Sequence, residues 1–146
     1  MKTELVFVLD RSGSMSGLER DTIGGFNSLL EKQKKEPGKA LVTTVLFDDR
    51  YEVIHDRADL EQPAPITGAD YYVRGCTALL DAIGLTIQRI SQAQERDAPA
   101  ERPEKTLFVI TTDGMENASR EYDHARVRRM VERAVGEKGW EFLFLG

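Results

Sequence analysis

Cysteine occurs once in the 146 residues, at Cys76. A single thiol excludes an internal disulfide and fits a reducing compartment. Prolines number five, too few for a low-complexity or extended chain. No apolar run approaches the ~18 residues of a membrane span. Lys2-Thr3-Glu4 leads into an apolar run too short for a secretory core and cleavage site. The expectation is a cytoplasmic protein without a membrane segment. An excess of basic charge is also lacking: 20 Lys and Arg face 25 Asp and Glu, a net −5. Nucleic acid is therefore not the expected partner, because a phosphate backbone needs a basic surface. No Gly-x-x-x-x-Gly-Lys-Ser/Thr loop occurs, which removes the nucleotide-triphosphatase reading. Gly13-Ser14-Met15-Ser16-Gly17 does not fit a nucleophile elbow either.

What is present is the make-up of a globular domain, 40% apolar and 31% charged. The length suits one domain over 1–146. The run Leu5-Val6-Phe7-Val8-Leu9 reads as a strand buried on both faces, over residues 4–10. A helix is predicted over 17–36, from Leu18, Ile23, Phe26, Leu29 and Leu30 at helical spacing. Gly24-Gly25 inside it costs about 1 kcal/mol per residue relative to alanine and reads as a close-packing point against the sheet. Residues 40–48 are β-branched and apolar, and 51–55 alternate, so a short turn at Asp49-Arg50 makes an antiparallel hairpin with its second strand at a sheet edge. His55 reads as a surface histidine, having no second His or carboxylate spaced to join it as a ligand.

Residues 56–76 lack periodicity and read as a long ordered loop with one turn of helix at most. A helix follows over 78–94 with Leu79, Leu80, Ile83, Ile87 and Ile90 inward, then a charged connector over 95–104. A second doubly buried strand spans 107–112, a helix 123–137 with Asp123 as its cap, and a last strand 140–145. Strands alternating with helices imply a mainly parallel sheet covered on both faces, with ligands beyond the carboxyl ends of the strands where the winding reverses.

That crevice is where the candidate site falls. Asp10, Ser12 and Ser14 follow the first strand at a spacing of two, so their side chains can converge. A carboxylate and two hydroxyls are hard donors suited to a hard cation, and Gly13 would let the loop curl around it. The pentapeptide alone is also ordinary turn composition. Two further positions complete a donor set: Thr77, ahead of a helix, and Asp113, at the end of its strand as Asp10 is. Thr77 by itself reads equally as a helix N-cap.

Asp10-x-Ser12-x-Ser14, Thr77 in Gly75-Cys76-Thr77-Ala78-Leu79, and Asp113 in Thr112-Asp113-Gly114 together resemble the von Willebrand factor type A domain and its metal-ion-dependent adhesion site. The resemblance implies a three-layer, Rossmann-like, doubly wound sheet in order 3-2-1-4-5 with strand 3 antiparallel at the edge. It implies that Ser12, Ser14 and Thr77 ligate the ion directly and that Asp10 and Asp113 act through bound water. Mg²⁺ is the expected ion, with Mn²⁺ or Ca²⁺ accepted by the same oxygens. The partner it implies is a protein offering an acidic residue to the ion, so the chain is expected to be an interaction module and not an enzyme. The family's last helix and sixth strand have no counterpart after Phe142-Leu143-Phe144-Leu145-Gly146, which reads as a minimal or truncated domain of stand-alone bacterial type.

Two alternatives accompany this reading. One keeps the fold without any metal. The other is a metal-assisted hydrolase, for which Ser12 stands where a second acid would be wanted, or a Cys76 dyad with His55 or His124. Asn117-Ala118-Ser119 fits a glycosylation triplet but lacks the compartment for it, and Arg126, Arg128, Arg129 and Arg133 read as a solvated helix face. Asp48, Asp70, Arg74 and Glu116 fall near the presumed site without being assigned as ligands.

Overall fold

A computed structural model describes residues 2–63, 65–113 and 116–145. Five strands and three helices alternate along it: β1 (Lys2–Asp10), α1 (Glu19–Lys34), β2 (Lys39–Phe47), β3 (Tyr51–Asp59), α2 (Leu79–Arg96), β4 (Lys105–Thr111), α3 (His124–Lys138) and β5 (Glu141–Leu145). Short 3₁₀ turns lie at Gly13–Met15 and Pro99–Glu101. The sheet order is β3-β2-β1-β4-β5. All pairings are parallel except β2 with β3, the hairpin predicted from its short turn.

Alternation along the strands builds two cores. Leu5, Phe7, Leu9 and Val109 face α1, where they meet Phe26 and Leu30. Val6, Val8, Phe108 and Ile110 face α2 and α3, meeting Ile83, Ile87, Ile90, Val127 and Ala134. α1 covers one face and α2 with α3 the other, so β1 and β4 straddle the reversal of winding. Their carboxyl ends, Asp10 and Thr111, finish side by side. At the far edge of the sheet β5 leaves Leu143, Phe144 and Leu145 exposed.

Several expectations need correcting. β3 runs to Asp59, well beyond position 55, so the long loop is shorter than predicted. A bulge near Thr44 interrupts the β3 pairing and blurs the alternation that would have shown its length. His55 is not a surface residue: it is half-buried, bonded through Nδ1 to Thr44 Oγ1 at 2.8 Å and stacked on Phe26. Gly24 and Gly25 are not a close-packing point, since a Cβ at either would touch no neighbour. The tight contact is on α2 instead, where a Cβ at Gly84 would be driven into the Tyr122 ring. Asp123 caps α3 as expected, its Oδ1 accepting from Arg126 N at 2.7 Å. The arginines of α3 are exposed, as read.

Candidate metal centre

β1 ends in Asp10, whose carboxylate is 0% exposed. Its Oδ1 accepts from Ser12 N at 2.8 Å and its Oδ2 from Thr112 Oγ1 at 2.8 Å. Among the described residues Asp10 has no ion pair. Burying a carboxylate costs several kcal/mol unless a cation or strong donors answer its charge. Here the donors within reach are a backbone amide and a hydroxyl, both neutral.

Ser12, also buried, places its Oγ 2.8 Å from Ser14 Oγ. Ser14 lies in the 3₁₀ turn and is exposed. Gly13 does not adopt a left-handed backbone; Gly17, four residues later in sequence, carries φ +90°. The Ser14 hydroxyl thus stands on the solvent side of the buried Asp10 and Ser12.

Thr77 sits in a segment stitched to the β1 loop. Tyr71 OH donates to Asp10 O, Arg74 N to Arg11 O at 2.8 Å, and Gly13 N to Gly75 O at 3.0 Å. Gly75 adopts φ +69°, and a Cβ there would lie 2.5 Å from Asp49 Oδ1 and 2.9 Å from Asp48 Oδ2. Both backbone and space therefore require glycine just before the buried Thr77. The N-cap reading of Thr77 is wrong: Ala78 is the capping residue of α2 and makes no side-chain cap bond. The helix's free N–H groups are filled from elsewhere, Leu80 N by Glu116 Oε1 at 3.0 Å and Asp81 N by Ser119 Oγ at 2.9 Å.

Asp113 follows Thr112 beyond β4 and is exposed. Its charge reaches the same crevice: burial pushes the Tyr71 phenol up to about 12, with Asp10, Glu19 and Asp113 adding to the rise and the Thr22 hydroxyl opposing it. Gly114 and Met115, which belong to the motif and loop read from the sequence, lie outside the described residues. The structure thus gathers Asp10, Ser12, Ser14, Thr77 and Asp113 at one end of the sheet. Hydrogen bonds join Asp10, Ser12 and Ser14 directly; Thr77 is tied in through the backbone of its loop.

Thr112, Tyr71 and Arg11, which the sequence did not single out, hold this arrangement together with Asp48, Arg74 and Glu116, which it placed near the site. Thr112 and Tyr71 grip Asp10 at its carboxylate and carbonyl. Arg11, 2% exposed, donates through Nη1 to Glu52 Oε1 at 2.7 Å and lies 3.8 Å from Asp48, which also accepts from Arg74 Nε at 3.0 Å. Glu116 is pushed up by burial, but hydrogen bonds from Ser119, Leu80 N and Ala118 N outweigh this and hold its carboxyl below the usual range. The doubled threonine before Asp113 was the one sequence signal for Thr112. Tyr71 sits in an aperiodic stretch and gave none.

The donor set is one of hydroxyls with outlying carboxylates. Among the described residues no three His, Cys, Asp or Glu side chains cluster as a metal-binding group. Cys76 is exposed and, among the described residues, is hydrogen-bonded to neither His55 nor His124. No described helix is long and apolar enough to cross a membrane.

No protein-family model matches the chain, and comparison with curated proteins gives no match. Solved structures do match in fold. A von Willebrand factor type A protein from Catenulispora acidiphila superposes with TM-score 0.64 at 16% identity, over 98% of this chain and 32% of that one. The conserved hypothetical protein BatB from Bacteroides thetaiotaomicron gives 0.58 at 21% identity, over 99% of this chain and 66% of its own. The type V pili tip protein Mfa5 from Porphyromonas gingivalis, solved as three N-terminal domains, gives 0.55 at 14%, over 78% and 20%. The chain spans about a third of the first structure's length. At these identities the likeness establishes the fold, which is that of a von Willebrand factor type A domain.

Proposed function

We propose that this chain is a protein-interaction module that holds a divalent cation at the carboxyl ends of β1 and β4 and, through it, an acidic side chain of another protein. The observation that carries the reading is the carboxylate of Asp10. It is buried, and among the described residues only neutral donors meet it. A cation close by supplies the missing countercharge.

Ser12, Ser14 and Thr77 are the residues that would hold the ion directly. Both Asp10 oxygens already accept a protein hydrogen bond, which suits a role through bound water, and Asp113 on the exposed side takes the same role. Neutral hydroxyls leave much of the ion's charge uncompensated, so a partner's carboxylate is attracted to it. Mg²⁺ fits first, since it keeps water in its open positions; Mn²⁺ and Ca²⁺ accept the same oxygens. A hydrolytic two-metal site would instead gather several carboxylates, so the module is read as non-catalytic. The compartment we read for it is the cytoplasm, with which a single cysteine is in keeping. The likeness in fold to a pili tip protein is in keeping with a role in assembly.

The test is partner capture on immobilised protein in Mg²⁺ against chelator, with Asp10→Ala alongside. The expected result is a partner retained only by the wild-type chain in Mg²⁺ and eluted by chelator. Equal retention under all conditions would overturn the reading.

A further inference from the structure

We propose that Asn117 is a positioning residue that fixes Thr77 for the cation; this rests on the reading of the site given above. Asn117 grips both backbone groups of Thr77. Its side-chain Oδ1 accepts from Thr77 N at 2.8 Å, while its own N–H donates to Thr77 O at 2.9 Å. Ala118 N adds a second bond to the same carbonyl at 3.0 Å. A buried threonine held at N–H and C=O by one residue has little freedom to shift.

The grip extends along the same loop. Glu116 and Ser119 fill the first N–H groups of α2, and Asp81 in that turn accepts in return from the backbone of Arg120, Glu121 and Tyr122, at 2.9, 3.0 and 2.9 Å. This loop leaves the end of β4 just after Asp113. Asn117 therefore ties the segment that carries Thr77 to the loop that follows Asp113 in sequence. Residues that orient ligands without touching the metal typically change affinity 10–100-fold when removed. The triplet Asn117-Ala118-Ser119 accordingly serves as a fastening between loops.

The test combines two readouts on the whole chain, for wild type, Asn117→Ala and Asn117→Asp. The first is hydrogen exchange of the Thr77 amide without metal. The second is a Mn²⁺ titration followed by the resonance of free Mn²⁺. Asn117→Ala is expected to speed Thr77 exchange at least tenfold, leave the Ile87 and Ile90 amides protected, and weaken Mn²⁺ binding by about tenfold. Asn117→Asp keeps the acceptor and is expected to restore both. Faster exchange with unchanged Mn²⁺ affinity would overturn the positioning role, leaving a merely structural contact. Unchanged exchange would overturn the grip itself. If wild type takes up no Mn²⁺, the cation reading fails and the positioning role with it, while the exchange result still reports on the grip.

Discussion

Two carboxylates sit on β1, each 0% exposed, one at either end of the strand. Glu4 is met by a guanidinium: Arg57 Nε and Nη2 donate to it at 2.7 and 3.1 Å, and Gln94 Nε2 at 2.9 Å. Arg57 in turn binds Asp97 at 2.7 and 3.0 Å, which draws the carboxyl of Asp97 below its usual range. Among the described residues Asp10 receives only an amide and a hydroxyl. Among the described residues, the same strand thus buries one acid met by a guanidinium and one met by neutral donors alone. The difference separates structural from functional chemistry. A protein gains no stability from an unanswered buried charge, so its presence at the crevice of an α/β sheet is read as provision for a ligand.

The largest effect should come from breaking the answered charge. Arg57→Ala leaves buried Glu4 without its guanidinium and is expected to cost about 3 kcal/mol in urea unfolding. Asp10→Asn should do the opposite in metal-free buffer, leaving stability unchanged or raising it by up to ~1 kcal/mol, because it removes a charge the fold does not pair. Next, saturating Mg²⁺ is expected to stabilise the wild type by about 2.7 kcal/mol at a hundred times its dissociation constant, and Asp10→Asn by nothing measurable. α2 spans both ends of this comparison, carrying Gln94 near Glu4 and following Thr77 at the crevice. Overpacking its Gly84 against Tyr122 should cost ~2 kcal/mol. Because Tyr122 continues the loop that holds Thr77, Gly84→Ala should also loosen the crevice more than the Glu4 end, as hydrogen exchange would show.

The smallest expected effect is one of pH. The Glu116 carboxyl is held below its ordinary value of 4.5, so its contribution is present in full above that value. It is lost as pH falls through the lowered value in the fold. Protection of the Leu80 amide should fall over that acid range, and Glu116→Gln should remove the dependence.

The main strands and the crevice were legible because β1 and β4 are apolar runs ended by acids, a signal that survives without tertiary knowledge; the strand order was implied by the family resemblance. Asp10, Ser12, Ser14, Thr77 and Asp113 were legible for the same reason: each lies at a fixed offset from a buried element. What was not legible depended on contacts between distant segments. The full length of β3 was hidden by its bulge near Thr44, and the half-buried state of His55 by the Phe26 ring, which comes from another element. Thr77 taken by itself also reads as the cap of α2, because a hydroxyl before a helix is a local signal. Its true partners, Glu116 and Ser119, are more than 30 residues away. Gly24-Gly25 and Gly84 show the same limit: which glycine packs tightly depends on the facing ring, not on the glycine.

The most direct measurement is urea unfolding of the wild type and Asp10→Asn, each with and without Mg²⁺. The expected result is a midpoint raised by Mg²⁺ in the wild type only, with metal-free Asp10→Asn at least as stable as metal-free wild type. A wild type indifferent to Mg²⁺, Mn²⁺ and Ca²⁺, together with an Asp10→Asn variant destabilised in their absence, would show that Asp10 serves the fold alone and would contradict the account.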